Sequence, residues 1–226
     1  MELAIDTSSE IAGIALSQRG EVQAELSWPA GQKHTTELAP NLVCLLAQCG
    51  VPISDIEGIF VAKGPGSFNG LRVGISTAKG MALALGTPLV GISTLEAEAF
   101  SRAAENMPIC PILDVRHGQV AAALFRWKDG EWNRLIDEHI TTVSELCLEI
   151  GARTVFCGQI SPQIASELRE GLGKRLVIRE WGWGLRRAVY LAQLGWRRLD
   201  KGDCDDPDTL QPLYLRKPAI TARKAP

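Results

Sequence analysis

The chain has 226 residues and 24.5 kDa, with 24 Lys+Arg against 26 Asp+Glu, a formal charge of -2 and 46% hydrophobic residues. This length holds one large domain or two small lobes, and the near balance of charge excludes a protein that grips nucleic acid over its whole surface, which needs clustered Lys and Arg. No apolar run of about 18 residues occurs and MELAIDTSS has no basic-then-apolar leader, so neither a membrane span nor a signal peptide is predicted and the expected location is cytoplasmic.

In chain order, LAIDTSSEIAGIALSQRGEVQAELSW predicts an apolar strand ending at Asp6, a polar turn, a strand from about Ile11 to Leu16, a hairpin at Arg19-Gly20 and a third strand. Asp6, Thr7, Ser8 and Ser9 make a turn with two readings. Its N–H groups can hold phosphate oxygens while the carboxylate holds Mg²⁺ through water, or the side chains can simply satisfy strand-end backbone groups. A helix over about Thr36 to Gln48 follows, with Leu38, Leu42, Leu45, Leu46 and Cys49 as its apolar stripe and Pro40 near its first turn.

The strand GIFVAKG, Gly58 to Gly64, runs into GPGSFNGLRVG and a helix of about Leu71 to Leu85, stopped by Gly86 with Pro88 just beyond. The turn lacks the GK[ST] of a nucleotide-binding P-loop and misses GxGxxG by one residue, which leaves only a generic anion site at the helix start. In the plainer reading Gly64, Gly66 and Gly70 supply special backbone angles and Pro65 stiffens the turn. Gly74, Ala78, Ala82 and Gly86 recur every four residues, a ridge of small side chains that lets another helix approach closely.

The second half repeats this order. ICPILDVRHGQVAAALFRWKDGEWNRL reads as a strand ending at Asp114, a short turn, a strand through Phe125 and a hairpin at Asp129-Gly130, and TVFCG, Thr154 to Gly158, is again a strand ending in glycine. Asp6 and Asp114 lie 108 residues apart, near half the chain. The repeated order predicts two similar lobes, 1–102 and 103–205, with a C-terminal extension over 206–226 and a helix near 184–200 packing back on the first lobe.

Cysteine and histidine limit the chemistry. No two of the six cysteines have the spacing of a zinc ribbon or redox pair, and most are expected to pack as small hydrophobes. His34, His117 and His139 form no HExxH or HxxxH pair, and GISTA and GISTL lack the second glycine of a nucleophile elbow. Zinc-dependent and serine-dependent hydrolysis therefore have no motif here.

AIDTSSE, KHTTELAP, GPGSFNGLRVG, LDVRHGQV and PLYLRKP, in this order, resemble the TsaB family, also called YeaZ. The resemblance implies an α/β fold of two duplicated ribonuclease-H-like lobes, that of the actin, Hsp70 and sugar-kinase (ASKHA) superfamily. It implies a non-catalytic scaffold or activator of the larger relative TsaD, which places N6-threonylcarbamoyladenosine in tRNAs reading ANN codons. A TsaE-type ATPase is the implied third partner, the chain alone is expected to form a homodimer, and tRNA is met only indirectly through the complex. Where the catalytic relative carries HxxxH, this chain has Thr94 and Glu98, which cannot reproduce a two-imidazole metal site. No cofactor is expected on the chain itself, with ATP or ADP and Mg only within the complex. Asp6, Thr7, Ser8, Ser9 and Asp114 are the candidate phosphate residues.

The resemblance also implies that partners meet the N-terminal lobe's helices, through Thr36, Leu38, Leu42, Leu45, Leu71, Gly74, Ala78 and Ala82. Ala78→Arg or Ala82→Arg is then expected to block association and spare the fold. Further on, Arg186 with Arg197 and Arg187 with Arg198 stand eleven residues apart on one predicted helix, able to face tRNA phosphate, a partner's carboxylates or solvent. The rival reading is an independent ATPase or small-molecule kinase of the same superfamily; a peptidase is disfavoured by the missing motifs.

Overall fold

The computed structural model describes residues 1–178 and 188–216. The first lobe runs β1 (Glu2–Asp6), β2 (Ile11–Gln18), β3 (Glu21–Pro29), α1 (His34–Cys49), β4 (Gly58–Gly64), α2 (Phe68–Leu85), β5 (Leu89–Ser93) and α3 (Thr94–Phe100). The second runs β6 (Ile109–Asp114), β7 (Gln119–Lys128), β8 (Glu131–Thr142), α4 (Val143–Glu149), β9 (Thr154–Gly158), α5 (Pro162–Leu172) and β10 (Leu176–Ile178), and α6 (Ala188–Leu199) follows. Sheet order is β3-β2-β1-β4-β5 in the first lobe and β8-β7-β6-β9-β10 in the second, with the first three strands antiparallel and the last two joining in parallel. The predicted duplication is thus present strand for strand.

Each sheet is covered on both faces, which is why its inner strands are apolar throughout rather than alternating. In β1 all five residues are buried. Leu3 and Ile5 point to the core beneath α1 and α2, whereas Ala4, with Ala15 and Ala62, faces α6. Small side chains on that face bring α6 close enough that a Cβ on Gly195 would lie 2.2 Å from the ring of Phe60. The helix near the C-terminus therefore belongs to the first lobe's packing. In the second lobe Cys110, Ile112, Val120 and Ala122 meet α4 and α5, while Leu113, Ala121, Ala123 and Phe125 meet Leu95 and Ala99 of α3. Thus α3 covers the second sheet, and Ala97 on the same helix joins the core under α6.

Glu2 is buried yet satisfied: its carboxylate accepts from Ser17 Oγ (2.6 Å), Arg19 N (2.9 Å) and Gly20 N (3.3 Å), tying the β2–β3 hairpin to β1. Helix boundaries extend beyond the predicted ones. Helix α1 starts at His34, so Pro40 stands in its second turn, where the N–H it lacks leaves the carbonyl of Thr36 to solvent on an exposed face. Helix α2 starts at Phe68 because the Ser67 side chain caps it, accepting from Gly70 N at 3.3 Å. Both end on a left-handed glycine, Gly50 (φ 65°) and Gly86 (φ 66°). The cysteines divide more evenly than expected: Cys110, Cys147 and Cys157 are buried, whereas Cys44, Cys49 and Cys204 are exposed.

Candidate functional site: strand-end turns and a docking face

The turn after β1 is closed on itself. Asp6 Oδ1 accepts from Ser8 N (2.8 Å) and Ser8 Oγ (2.5 Å), and Thr7 Oγ1 donates to the carbonyl of Gly70 (2.8 Å). Ser9 Oγ bonds Ile11, the carbonyl of Ser9 meets His34 Nε2 at 2.8 Å, and Ser67 N donates to the carbonyl of Ser8 at 2.8 Å. A Cβ on Gly66 would fall 2.3 Å from the Ser8 oxygen, one on Gly70 2.1 Å from the Thr7 oxygen, and one on Gly74 2.2 Å from Thr7 Oγ1. These three glycines leave room for the Asp6–Ser8 turn itself. The motifs AIDTSSE, KHTTELAP and GPGSFNGLRVG therefore meet in one cluster, in which most of the polar groups that would serve a phosphate already hold one another.

Asp114 occupies the corresponding place in the second lobe, and its Oδ1 accepts from Arg116 N at 2.8 Å, the same two-residue pattern as at Asp6. Their environments differ, since Asp6 is 3% exposed while Asp114 lies open to solvent. Thr94 and Glu98 stand one turn apart on α3, Thr94 fully buried. Among the described residues no group of three or more His, Cys, Asp or Glu side chains is placed to hold a metal ion. Burial pushes the thiols of Cys110 and Cys157 well up, so neither supplies a ready thiolate.

The arginines expected on the last helix find partners within the chain. Arg198 bonds Asp203 (2.7 and 3.1 Å), Asp205 (3.2 Å) and the carbonyl of Gly91 (2.8 Å), and its hydrogen bond holds the Asp203 carboxyl below its usual range. Arg197 lies 4.7 Å from the ring centre of Trp127 and 5.5 Å from that of Phe100. These contacts bind α6 to α3, β5 and the second sheet, with Arg198 partly buried and Arg197 still exposed to solvent. Arg186 and Arg187 lie outside the described residues.

The docking residues need a correction. Thr36 is exposed, but Leu38, Leu42, Leu45, Leu71, Gly74, Ala78 and Ala82 all face inward, Leu42 at 5% exposure being the most open among those with an apolar side chain. The small-residue ridge fits Thr7 and the core beneath α1, and Ala78, wholly buried among Leu and Ile side chains, has no space for an arginine. The outward faces of the same two helices have another composition. On α1, Thr36, Ala39, Pro40, Val43 (64% exposed), Cys44 and Ala47 point outward, and on α2, Ser76, Gly80, Leu83 (61% exposed) and Ala84 do. Arg72, exposed, and Lys79, half-buried, are the charged residues on the same side of α2. Val43 and Leu83 fall outside the helices' buried stripes, and that was the signal available in the sequence.

Two lobes with the same five-strand order, each opening on an Asp-ended strand and turn, define a duplicated two-lobe α/β protein. The family model for TsaD, tRNA N6-adenosine threonylcarbamoyltransferase, matches residues 28–168. The chain is 32% identical over 217 residues to the tRNA threonylcarbamoyladenosine biosynthesis protein TsaB of Bacillus subtilis, covering 95% of this chain and 93% of that one. It is 29% identical over 223 residues to TsaB of Escherichia coli, covering 95% and 94%. The solved structure of YeaZ from Pseudomonas aeruginosa superposes with a TM-score of 0.80 at 24% identity, over 95% of this chain and all of that one. The chain belongs to the TsaB family of tRNA threonylcarbamoyladenosine biosynthesis proteins.

Proposed function

We propose that this chain is a non-catalytic partner of a TsaD-type transferase in the threonylcarbamoylation of tRNA, docking through the outer face of α1 and α2. The observation that carries the reading is that face: Val43 and Leu83, with Ala39, Ala47 and Gly80, are presented to solvent by the two helices, and the charged residues on the same side of α2 are Arg72 and the partly buried Lys79. Surfaces depleted of charge and rich in exposed apolar side chains are those that proteins cover by association. In the absence of the transferase the same face pairs two copies as a homodimer. Thr94 and Glu98 support the non-catalytic role, because neither is an imidazole.

The self-bonded Asp6 turn supports a chain that binds no nucleotide alone, ATP or ADP with Mg being held only within the complex, where a TsaE-type ATPase is the third member. Substrate tRNA is reached through the transferase, consistent with a charge of -2 on this chain. The setting is cytoplasmic; no helix among the described residues is long and apolar enough to cross a membrane. Size-exclusion chromatography of the purified chain with a TsaD-type protein tests the docking. Co-elution is expected and should be lost in the Val43→Arg/Leu83→Arg double variant; co-elution undiminished by both charges would place the interface elsewhere.

A further inference from the structure

Residues 203–216 leave α6 with little regular structure, yet their anchors run along the first lobe and end on the second. Asp205 forms a bridge to Leu89 on the edge of β5, its N–H donating to the Leu89 carbonyl at 2.8 Å and its Oδ2 accepting from Gly91 N at 2.8 Å. Lys79 of α2 donates to the carbonyls of Asp208 (3.3 Å) and Leu210 (3.4 Å). Leu210 enters the first lobe's core at 7% exposure, above Gly91, where a Cβ would lie 2.8 Å from its Cδ1. Leu213 N then donates to the carbonyl of Lys63 at 2.6 Å, at the end of β4. Tyr214 stacks on Phe68 with ring centres 5.2 Å apart and accepts a hydrogen bond from Arg72 Nε at 3.2 Å, in the first turns of α2. Beyond that point the segment touches the other lobe: Leu215 packs into the cluster that contains Leu113 and Val115, and the guanidinium of Arg216 bonds the side chain of Gln119.

We propose that residues 205–216 are a latch that holds the two lobes together across the carboxyl ends of β4 and β6, and that the seam between them opens only when this segment lifts. The anchors are graded. Leu210 is buried in the core and serves as the fixed pivot, whereas the clasp beyond it is made of side chains at the surface, with Phe68 37% exposed and Arg72 and Arg216 open to solvent. Opening therefore begins at residues 213–216. The landing place on the second lobe is the short turn whose backbone closes through Val115 N to the Gln119 carbonyl and Gln119 N to the Arg116 carbonyl. This inference does not rest on the proposed partner, because every anchor lies within the chain.

Amide hydrogen exchange of the full chain tests it, comparing the parent with Tyr214→Ala and, separately, Arg216→Ala. A latch is held at both ends, so releasing either end must loosen both. Each variant is expected to raise exchange by about ten-fold, equivalent to about 1.4 kcal/mol of opening free energy, in Lys63–Ser67 and in Val115–Gln119 together. The β2–β3 hairpin and α4 should be unchanged. Faster exchange confined to 211–216, or to the lobe nearest the substituted residue, would overturn the proposal and leave the segment an ordinary tail.

Discussion

Gly74 shows how tightly the first turn is built, since the Cβ of any other residue would sit 2.2 Å from Thr7 Oγ1. Gly74→Ala is expected to destabilise the protein by about 2–3 kcal/mol through overpacking, read as a lower urea midpoint; an unchanged midpoint would show that α2 can shift away from the turn. Glu96 on α3 makes a different prediction. Burial raises its carboxyl above the usual value near 4.5, opposed by Arg134, whose Nη2 lies 3.2 Å from Glu96 Oε2, while neighbouring Glu138 pushes it up further. Between the ordinary and the raised value the folded state binds more protons than the unfolded one, so stability falls as pH rises through that window. Glu96→Gln should flatten this fall in denaturation midpoints measured from pH 4 to 7. An equally steep fall in the variant would assign it to other groups.

At the scale of elements, α1 and α2 each bury one apolar stripe and expose a large apolar side chain, Val43 or Leu83, on the other side, and only the stripe follows from periodicity. The spacing of Leu38, Leu42, Leu45 and Leu46 marks the buried stripe of α1, and Gly50 and Gly86 mark where the helices end. Small residues at every fourth place on α2 announce a close approach, but not what approaches; the answer is the turn at Thr7, separated from α2 by β2, β3, α1 and β4 in the chain. The proposed partner docking therefore falls to the outer faces. Val43→Arg is expected to keep the parent's melting temperature within a few degrees while weakening association, because its side chain is 64% exposed. Ala78→Arg should fail to fold, since it places a long cation in a closed core. Circular dichroism and thermal melts separate the two, and a folded Ala78→Arg protein would contradict the inward placement.

Across the whole molecule, the duplication was legible because strand, strand, strand, helix, strand recurs with an Asp and a glycine at matching places, and those are local signals. What joins the lobes was less legible. Nothing near Ala4, Ala15 or Ala62 says that their face receives α6 from almost two hundred residues away, and the fit of Gly195 to Phe60 has no local signature. The same holds for the arginines of α6, whose sequence suits a charged outer ladder while their contacts are Asp203, Asp205 and aromatic rings. The candidate phosphate residues Asp6, Thr7, Ser8 and Ser9 do share one turn. Their chemistry could not be judged without the glycines of α2, which press against them and close the site. The molecule that results has a duplicated two-lobe α/β frame, a self-bonded first turn, and exposed apolar side chains on the outer face of two helices.

The central claim is that this chain acts through that face and not through a reaction of its own. Reconstituted tRNA threonylcarbamoylation tests it most directly, with TsaD-type and TsaE-type proteins, threonylcarbamoyl-adenylate, ATP and tRNA, and with this chain added as the parent, as Val43→Arg/Leu83→Arg, or omitted. Modification is expected with the parent chain and a loss of at least about ten-fold, the effect of roughly 1.4 kcal/mol, with the double variant or without the chain. Full modification in its absence, or full activity from a folded double variant, would contradict the account.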